Sequence, residues 1–341
     1  MMAISQKNPL PKRIWNIFKY ILAVALVWFI YSKTSVNGII DLFKQVSFLW
    51  LMISFGLFFL MTMMKAVQYY VLSGRQVPYA RVLSIVFVQN VITNFIATGA
   101  GIASYLTMFK VDEGVRLRRA AMTFIIAKIG DLVIVWSMLL VSSLLLWNEI
   151  PVLKLSALVI LTIIPLAVGL FMVLIVLRQR FVEAIRAFVK RLKLERFSFA
   201  RRSLEVLQFL ADQRSIMVFH LLQAAAVCSL IYMILTLAWT YASLRAFSMI
   251  ISSSVFVFVN SWIQLISWLP IQVFGGLGVM ETSQVYLYGL FGVPAAQMAT
   301  VSVGLRVSLY LFNLVSLLYV PLNTFLGRRE SPLHSTDNGS K

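Results

Sequence analysis

The sequence has little to do bond chemistry with. A single cysteine, Cys228, excludes an intrachain disulfide framework. The two histidines, His220 and His334, have no second ligand at metal spacing. No metal and no cofactor is expected. Acidic residues are scarce as well: 12 Asp and Glu stand against 30 Lys and Arg in 341 residues, a net charge of +18. Nucleic-acid binding would need that charge on a soluble basic face with aromatics interleaved, and there is none, so no nucleic-acid partner is expected. No glycine-rich turn is followed by Lys and Ser in the order that a nucleotide phosphate loop requires. Ser283 lies near Glu281 but has no histidine to complete a nucleophile and base pair, so the chain is not expected to be an enzyme.

What the chain has is apolar length. It is 60% hydrophobic and 12% charged, with a mean hydropathy of +0.89, which reads as a polytopic membrane protein. Residues 14–31 are long enough to cross the hydrocarbon core and are followed by no small-residue cleavage site, so they read as a retained first span. Further spans are expected at 49–72, 120–146, 152–177, 216–244 and 298–320. Lys65 lies close enough to the end of its span to be expected to snorkel to the interface. Residues 178–214 hold ten Lys or Arg and four Asp or Glu around an apolar helical stripe. They read as a cytoplasmic amphipathic elbow resting on anionic headgroups.

Two stretches break this pattern. LPIQVFGGLGVME, residues 269–281, places a proline, three glycines and a carboxylate in membrane-grade sequence, and TGAG, residues 98–101, is a weaker break. Non-helical backbone at membrane depth is tolerated only where protein or a wet cavity satisfies it, so each break suggests a site. The segments leading into the breaks are unusually polar. Residues 82–97 carry Gln89, Asn90, Thr93 and Asn94, and residues 250–268 carry Asn260, Gln264 and Ser267 on one helical face.

The basic segments on either side of 82–109 can both be cytoplasmic only if this stretch dips in and returns as a re-entrant hairpin. The same rule makes the second break a hairpin from the outer side and puts both termini in the cytoplasm. The expected fold is therefore all-α: six full spans and two re-entrant broken-helix hairpins, arranged as two inverted repeats joined by the elbow. It forms one integral membrane domain, with residues 1–150 as the first repeat. Residues 151–177 form the first span of the second repeat, 178–214 the elbow, 215–327 the remainder and 328–341 a polar tail. Spacing supports the repeat, since Gly101 and Lys128 are 27 residues apart and Gly278 and Arg306 are 28 apart. Inverted repeats whose broken helices meet are a common transporter plan.

Intramembrane charge marks the candidate site. A cation within hydrocarbon costs at least about 2.5 to 3.5 kcal/mol, so Lys128 and Arg306 need a cavity or a counter-charge. Asp131, three residues from Lys128 on the same helical face, and Glu281 are the available carboxylates. One reading has the two pairs simply holding helices together. The other has a polar crevice in which the cations receive a phosphate-bearing headgroup, with Asn94, Asn260, Gln264, Tyr310 and Asn313 around it. The turn at Gly275, Gly276 and Gly278 is either a tight bend with close helix packing or, next to a helix start at Val279, an anion-binding end.

LPIQVFGGLGVME, followed by Gly292, Val293 and Pro294 and then Gly304, Leu305 and Arg306, resembles the signature of the flippase-like family that includes the transmembrane region of lysylphosphatidylglycerol synthase. Pro270, Gly275, Gly276, Gly278, Glu281 and Arg306 fall where that pattern wants them. The first half departs from it: TGAGIASYL lacks the Glu and Arg that often follow the glycine turn, and Lys128 with Asp131 stands for an R-x-x-D pattern. The resemblance implies a bacterial inner-membrane protein that moves or presents lipids, with membrane lipids as its partners. No soluble aminoacyl-transferase domain is recognised, so synthesis of lysylphosphatidylglycerol is not expected. Two other readings remain at this point: a non-transporting partner or scaffold of a lipid- or glycan-modifying enzyme, and a small-solute or ion transporter. Nothing in the pattern specifies an oligomeric state.

Overall fold

The computed structural model describes residues 43–111, 113–115, 117–147, 215–269 and 274–320, with isolated positions elsewhere. Nearly all of the spans expected at 14–31 and 152–177 and of the elbow lies outside the described residues, as do the polar tail and Pro270. The secondary structure among the described residues is entirely helical: α1 Phe48–Leu72, α2 Tyr79–Phe95, α3 Thr98–Val111, α4 Leu117–Leu145, α5 Ser215–Ala246, α6 Ser253–Ser267, a 3-10 turn at Phe274–Gly276, α7 Val279–Gly289 and α8 Ala295–Leu317.

Among the described residues, four helices are long and apolar enough to cross a membrane: α1, α8, the Arg119–Leu145 part of α4 and the His220–Ala246 part of α5. At most 44% of the residues in each apolar window are buried inside the protein. The remainder, Leu60, Val141, Ile234 and Leu311 among them, face outward along the helices. So much contiguous apolar surface needs lipid around it.

The bundle is organised around α1 and α5, which run antiparallel in extensive contact. Their alignment is fixed at one end by the Ser47 amide donating to the Ala246 carbonyl at 2.9 Å. Ser54 and Ser243 share a 2.6 Å hydrogen bond further along, and Gln68 donates to Ser229 at 2.7 Å toward the other end. α4 crosses α5 where Gly130 has no side chain to keep them apart: a Cβ there would lie 2.7 Å from the Ser229 hydroxyl and 3.0 Å from the Ala225 carbonyl oxygen. Small residues at a membrane-helix crossing allow this approach, and dispersion contacts then hold it.

Two helical hairpins complete the described part of the fold. In the first, α2 begins behind Pro78, whose fixed φ suits a helix start, and the chain reverses at Ile96 and Ala97 into α3. In the second, α6 and α7 fold back so that the Asn260 amide donates to the Tyr288 hydroxyl at 3.1 Å. The break at TGAG is thus displaced from its expected place. Thr98 to Gly101 form the first turn of α3, and neither Gly99 nor Gly101 has positive φ. Gly101 is there for proximity, because a Cβ would lie 1.9 Å from the Thr93 hydroxyl and 3.0 Å from the Gln89 carbonyl oxygen on α2. Gly99 has nothing within 4 Å of such a Cβ. Gly99→Ala is therefore expected to stabilise by about 0.5 to 1 kcal/mol through helix propensity, and Gly101→Ala to destabilise by about 1 to 3 kcal/mol through overpacking. Thermal unfolding in one detergent checks both, and equal effects at the two positions would contradict the packing argument.

The hairpins interlock with the long helices reciprocally: α2 of the first packs on α8, and α6 of the second packs on α4. Each hairpin also builds a hydrophobic core at its own end of the bundle. One gathers Tyr69, Phe87, Tyr105, Phe109 and Ile126, and the other Leu139, Phe247, Phe258, Tyr288 and Met298. The polar residues are left to the space between these cores.

Candidate functional site

That space is a cavity of about 630 Å³ reached by all eight described helices, α1 to α8. A cavity of this size accepts a small molecule or a lipid headgroup. Of the residues singled out from sequence, Asn94, Lys128, Asn260, Gln264, Gly275, Glu281 and Arg306 line it, together with Gln89, Asn90, Thr93 and Ser267. Asp131 stands just behind the wall, bonded to residues that line it. Tyr310 and Asn313 are not among the lining residues. Tyr310 stacks on Phe95 outside the lining, and Asn313 is fully buried, its amide turned back to the Leu309 carbonyl. On α8, only Arg306 of the expected polar face reaches the cavity.

The first charged cluster joins α1, α4 and α5. Lys65 Nζ donates to Asp131 Oδ2 at 2.6 Å and to Gln68 Oε1 at 2.7 Å, while the Ser229 hydroxyl donates to Asp131 Oδ1 at 2.9 Å. Lys65 therefore does not snorkel. Its side chain is 9% exposed, with Tyr232 beneath the ammonium at 4.5 Å, because a carboxylate on the neighbouring helix offers it better compensation than the distant interface. Lys128 holds the same Asp131 oxygen only at 3.5 Å. It is 36% exposed, and its ammonium lies 5.0 Å from the centre of the Trp268 ring. The expected Lys128 and Asp131 pair exists, but it is secondary to Lys65.

The second cluster closes the glycine turn. Gly275, Gly276 and Gly278 all have positive φ, a conformation that side chains rarely adopt. Glu281, at the third position of α7, accepts the Gly278 amide on Oε2 at 2.7 Å and Arg306 Nε on Oε1 at 2.5 Å. The rest of the guanidinium faces the turn's carbonyls, with Nη1 donating to Gly275 at 3.0 Å and Nη2 to Gly276 at 3.4 Å. This reverses the anion-binding expectation for the turn. It presents carbonyl oxygens to a cation, and two of its amides are taken, by Glu281 and by the Ile96 carbonyl, which accepts the Gly275 amide at 3.1 Å.

That last bond is where the two breaks meet. A Cβ on Gly275 would lie 1.6 Å from the Asn94 carbonyl oxygen, so the tip of the second hairpin rests directly on the backbone that ends α2. Lys65, Gln68, Ser229 and Trp268 were not among the candidates from sequence. Thr62, Lys65, Gln68 and Tyr69 do fall on one face of α1 at helical spacing, a stripe as regular as that of Asn260, Gln264 and Ser267. Two polar groups in the cavity wall, Ser302 Oγ and Trp239 Nε1, are buried without a hydrogen-bond partner among the described residues. Groups of this kind are ordinarily satisfied by water or ligand.

Comparison with curated proteins and with solved structures finds no match to this chain. Among protein families, residues 16–316 match the one described as the lysylphosphatidylglycerol synthase TM region. A match over that length, in a chain whose described residues include four membrane-grade helices, settles its class: it is a multi-pass membrane protein and belongs to the lysylphosphatidylglycerol synthase transmembrane-region family.

Proposed function

We propose that the protein is a lipid translocase or lipid-transfer protein of a bacterial inner membrane, which admits a lipid headgroup into the cavity while the acyl chains stay in the bilayer. It makes and breaks no bonds. The observation that carries this reading is the position of the cavity. Its charged groups sit halfway along the 29-residue α4 and the 23-residue α8, and the surrounding helices turn apolar surface outward. A headgroup crossing the bilayer meets its highest barrier at that depth, and a polar chamber there lowers it. The reciprocal packing of the hairpins supports an inverted repeat in which both enter and leave on one side, as does the contact between their tips. In this arrangement both termini are cytoplasmic.

The test is transbilayer movement of a fluorescent lipid in proteoliposomes holding the full chain, with Gln264→Trp as the blocked variant. Wild type is expected to speed dithionite-accessible exchange above protein-free vesicles. The indole, filling cavity volume, is expected to slow it by at least about tenfold, equivalent to roughly 1.4 kcal/mol of barrier. Wild-type vesicles no faster than empty ones would refute translocation.

A further inference from the structure

Resting on the lipid reading above, we propose that the cavity selects by charge: it takes headgroups with a net charge of −1, a phosphodiester carrying neutral hydroxyls, and Lys128 is the residue that receives the phosphate. Three cations and two carboxylates belong to the cavity and its wall: Lys65, Lys128 and Arg306 against Asp131 and Glu281. They leave one positive charge uncompensated among the described residues, and geometry says which. Arg306 is occupied on Nε, Nη1 and Nη2 by Glu281, Gly275 and Gly276. Lys65 is spent on Asp131 and Gln68. Lys128 has only the longer share of an oxygen already bonded to Lys65, and it is the one buried-network cation with substantial exposure to the cavity. A monoanion on its open side completes the balance, which a cationic or zwitterionic headgroup does not.

The carboxylates give the matching exclusion. Each oxygen of Glu281 and of Asp131 already accepts a bond from within the protein, so an incoming ammonium finds no carboxylate oxygen to itself. Of the aromatic rings in the lining, Trp268 and Phe124 already face the Lys128 ammonium, and Tyr69 and Tyr232 that of Lys65. The remaining polar lining consists of amides and hydroxyls such as Asn90, Thr93, Gln264 and Gln284, which both donate and accept and so suit hydroxyl groups. An amine-bearing headgroup, including an aminoacylated one, is therefore the poorer ligand.

The experiment offers the full chain in detergent an equimolar mixture of phosphatidylglycerol, phosphatidylethanolamine and lysylphosphatidylglycerol. The lipids retained after size exclusion are then weighed by mass spectrometry. Phosphatidylglycerol is expected to be enriched about tenfold over each of the others, the scale of one charge-assisted hydrogen bond. Lys128→Gln should bring that ratio close to one, and Lys128→Arg should keep it. Excess inorganic phosphate should leave the retained lipid in place; displacement would assign the site to a free anion and overturn the proposal. Equal retention of all three lipids by wild type, or an unchanged preference in Lys128→Gln, overturns charge selection while leaving lipid binding standing. Retention of none overturns both. The wild-type competition decides the matter even if the glutamine variant does not remain monodisperse.

Discussion

Asp131→Asn is expected to cost about 3 to 5 kcal/mol of stability, the range for removing one partner from a buried ion pair. Asp131 is 1% exposed and is the only carboxylate that the described residues place against Lys65 and Lys128. Without its charge, two ammonium groups face each other across a neutral amide in the middle of a lipid-facing bundle. Lys65→Met should cost distinctly less. The methionine fills the space beside Tyr232, and Lys128 needs to move by under about 1 Å to reach hydrogen-bonding distance of the freed oxygen. The double variant Lys65→Met with Asp131→Leu should be more stable than Asp131→Asn alone, since the charge it leaves without a partner in this cluster is that of Lys128, which is 36% exposed and lines the cavity. Chemical unfolding of the purified proteins in one mild detergent ranks the three. An Asp131→Asn protein within about 1 kcal/mol of wild type would show that the carboxylate is not the counter-charge of this cluster.

Much of the architecture can be read from apolar length. The spans expected at 49–72, 120–146, 216–244 and 298–320 coincide to within three residues with α1, α4, α5 and α8, because a helix that must satisfy its backbone inside lipid has little freedom over where to end. The glycine turn was also legible, since three glycines within four residues followed by a carboxylate at the third helical position is a local signal that needs no distant partner. Partner choice was harder. Lys65 looked like a snorkelling lysine because its distance from the helix end allows that conformation, and nothing local reveals that Asp131, 66 residues away, lies across from it. TGAG misled for a related reason. Glycine permits both a bend and a close contact, and at Gly101 the neighbouring hairpin limb decided for contact. On α8, Tyr310 and Asn313 share the face of Arg306 by spacing, yet only the arginine is long enough and rightly placed to reach the opposite turn. Periodicity finds a face, and tertiary packing then selects which of its residues meets the cavity.

Arg306→Ala is expected to be as damaging as Asp131→Asn, at about 3 to 5 kcal/mol, and to act on the joint between the hairpins. Among the described residues, its guanidinium is the single group that bonds both Glu281 and two carbonyls of the turn. Removal leaves Glu281 buried with only the Gly278 amide and cuts the turn's tie to α8, so that the Gly275 amide's bond to Ile96 must hold a turn no longer braced from behind. Arg306→Lys should recover little, because an ammonium is a point donor and cannot span a carboxylate and two carbonyls as the planar fork does. Glu281→Gln should fall between, since its amide can keep one of the two bonds that the carboxylate accepts. Combining Arg306→Ala with Glu281→Ala should cost well under the sum of the singles, the mark of two groups acting as a unit. Gly275→Ala offers an independent view of the same joint. Its Cβ would meet the backbone of Asn94, which cannot rotate away, so the tips must part whatever happens to Arg306. Both Arg306→Ala and Gly275→Ala should therefore raise the maleimide reactivity of a cysteine placed at Ala97, beside the joint, in a Cys228→Ala background. Unchanged reactivity in both would mean that the tips are held together by something other than this turn.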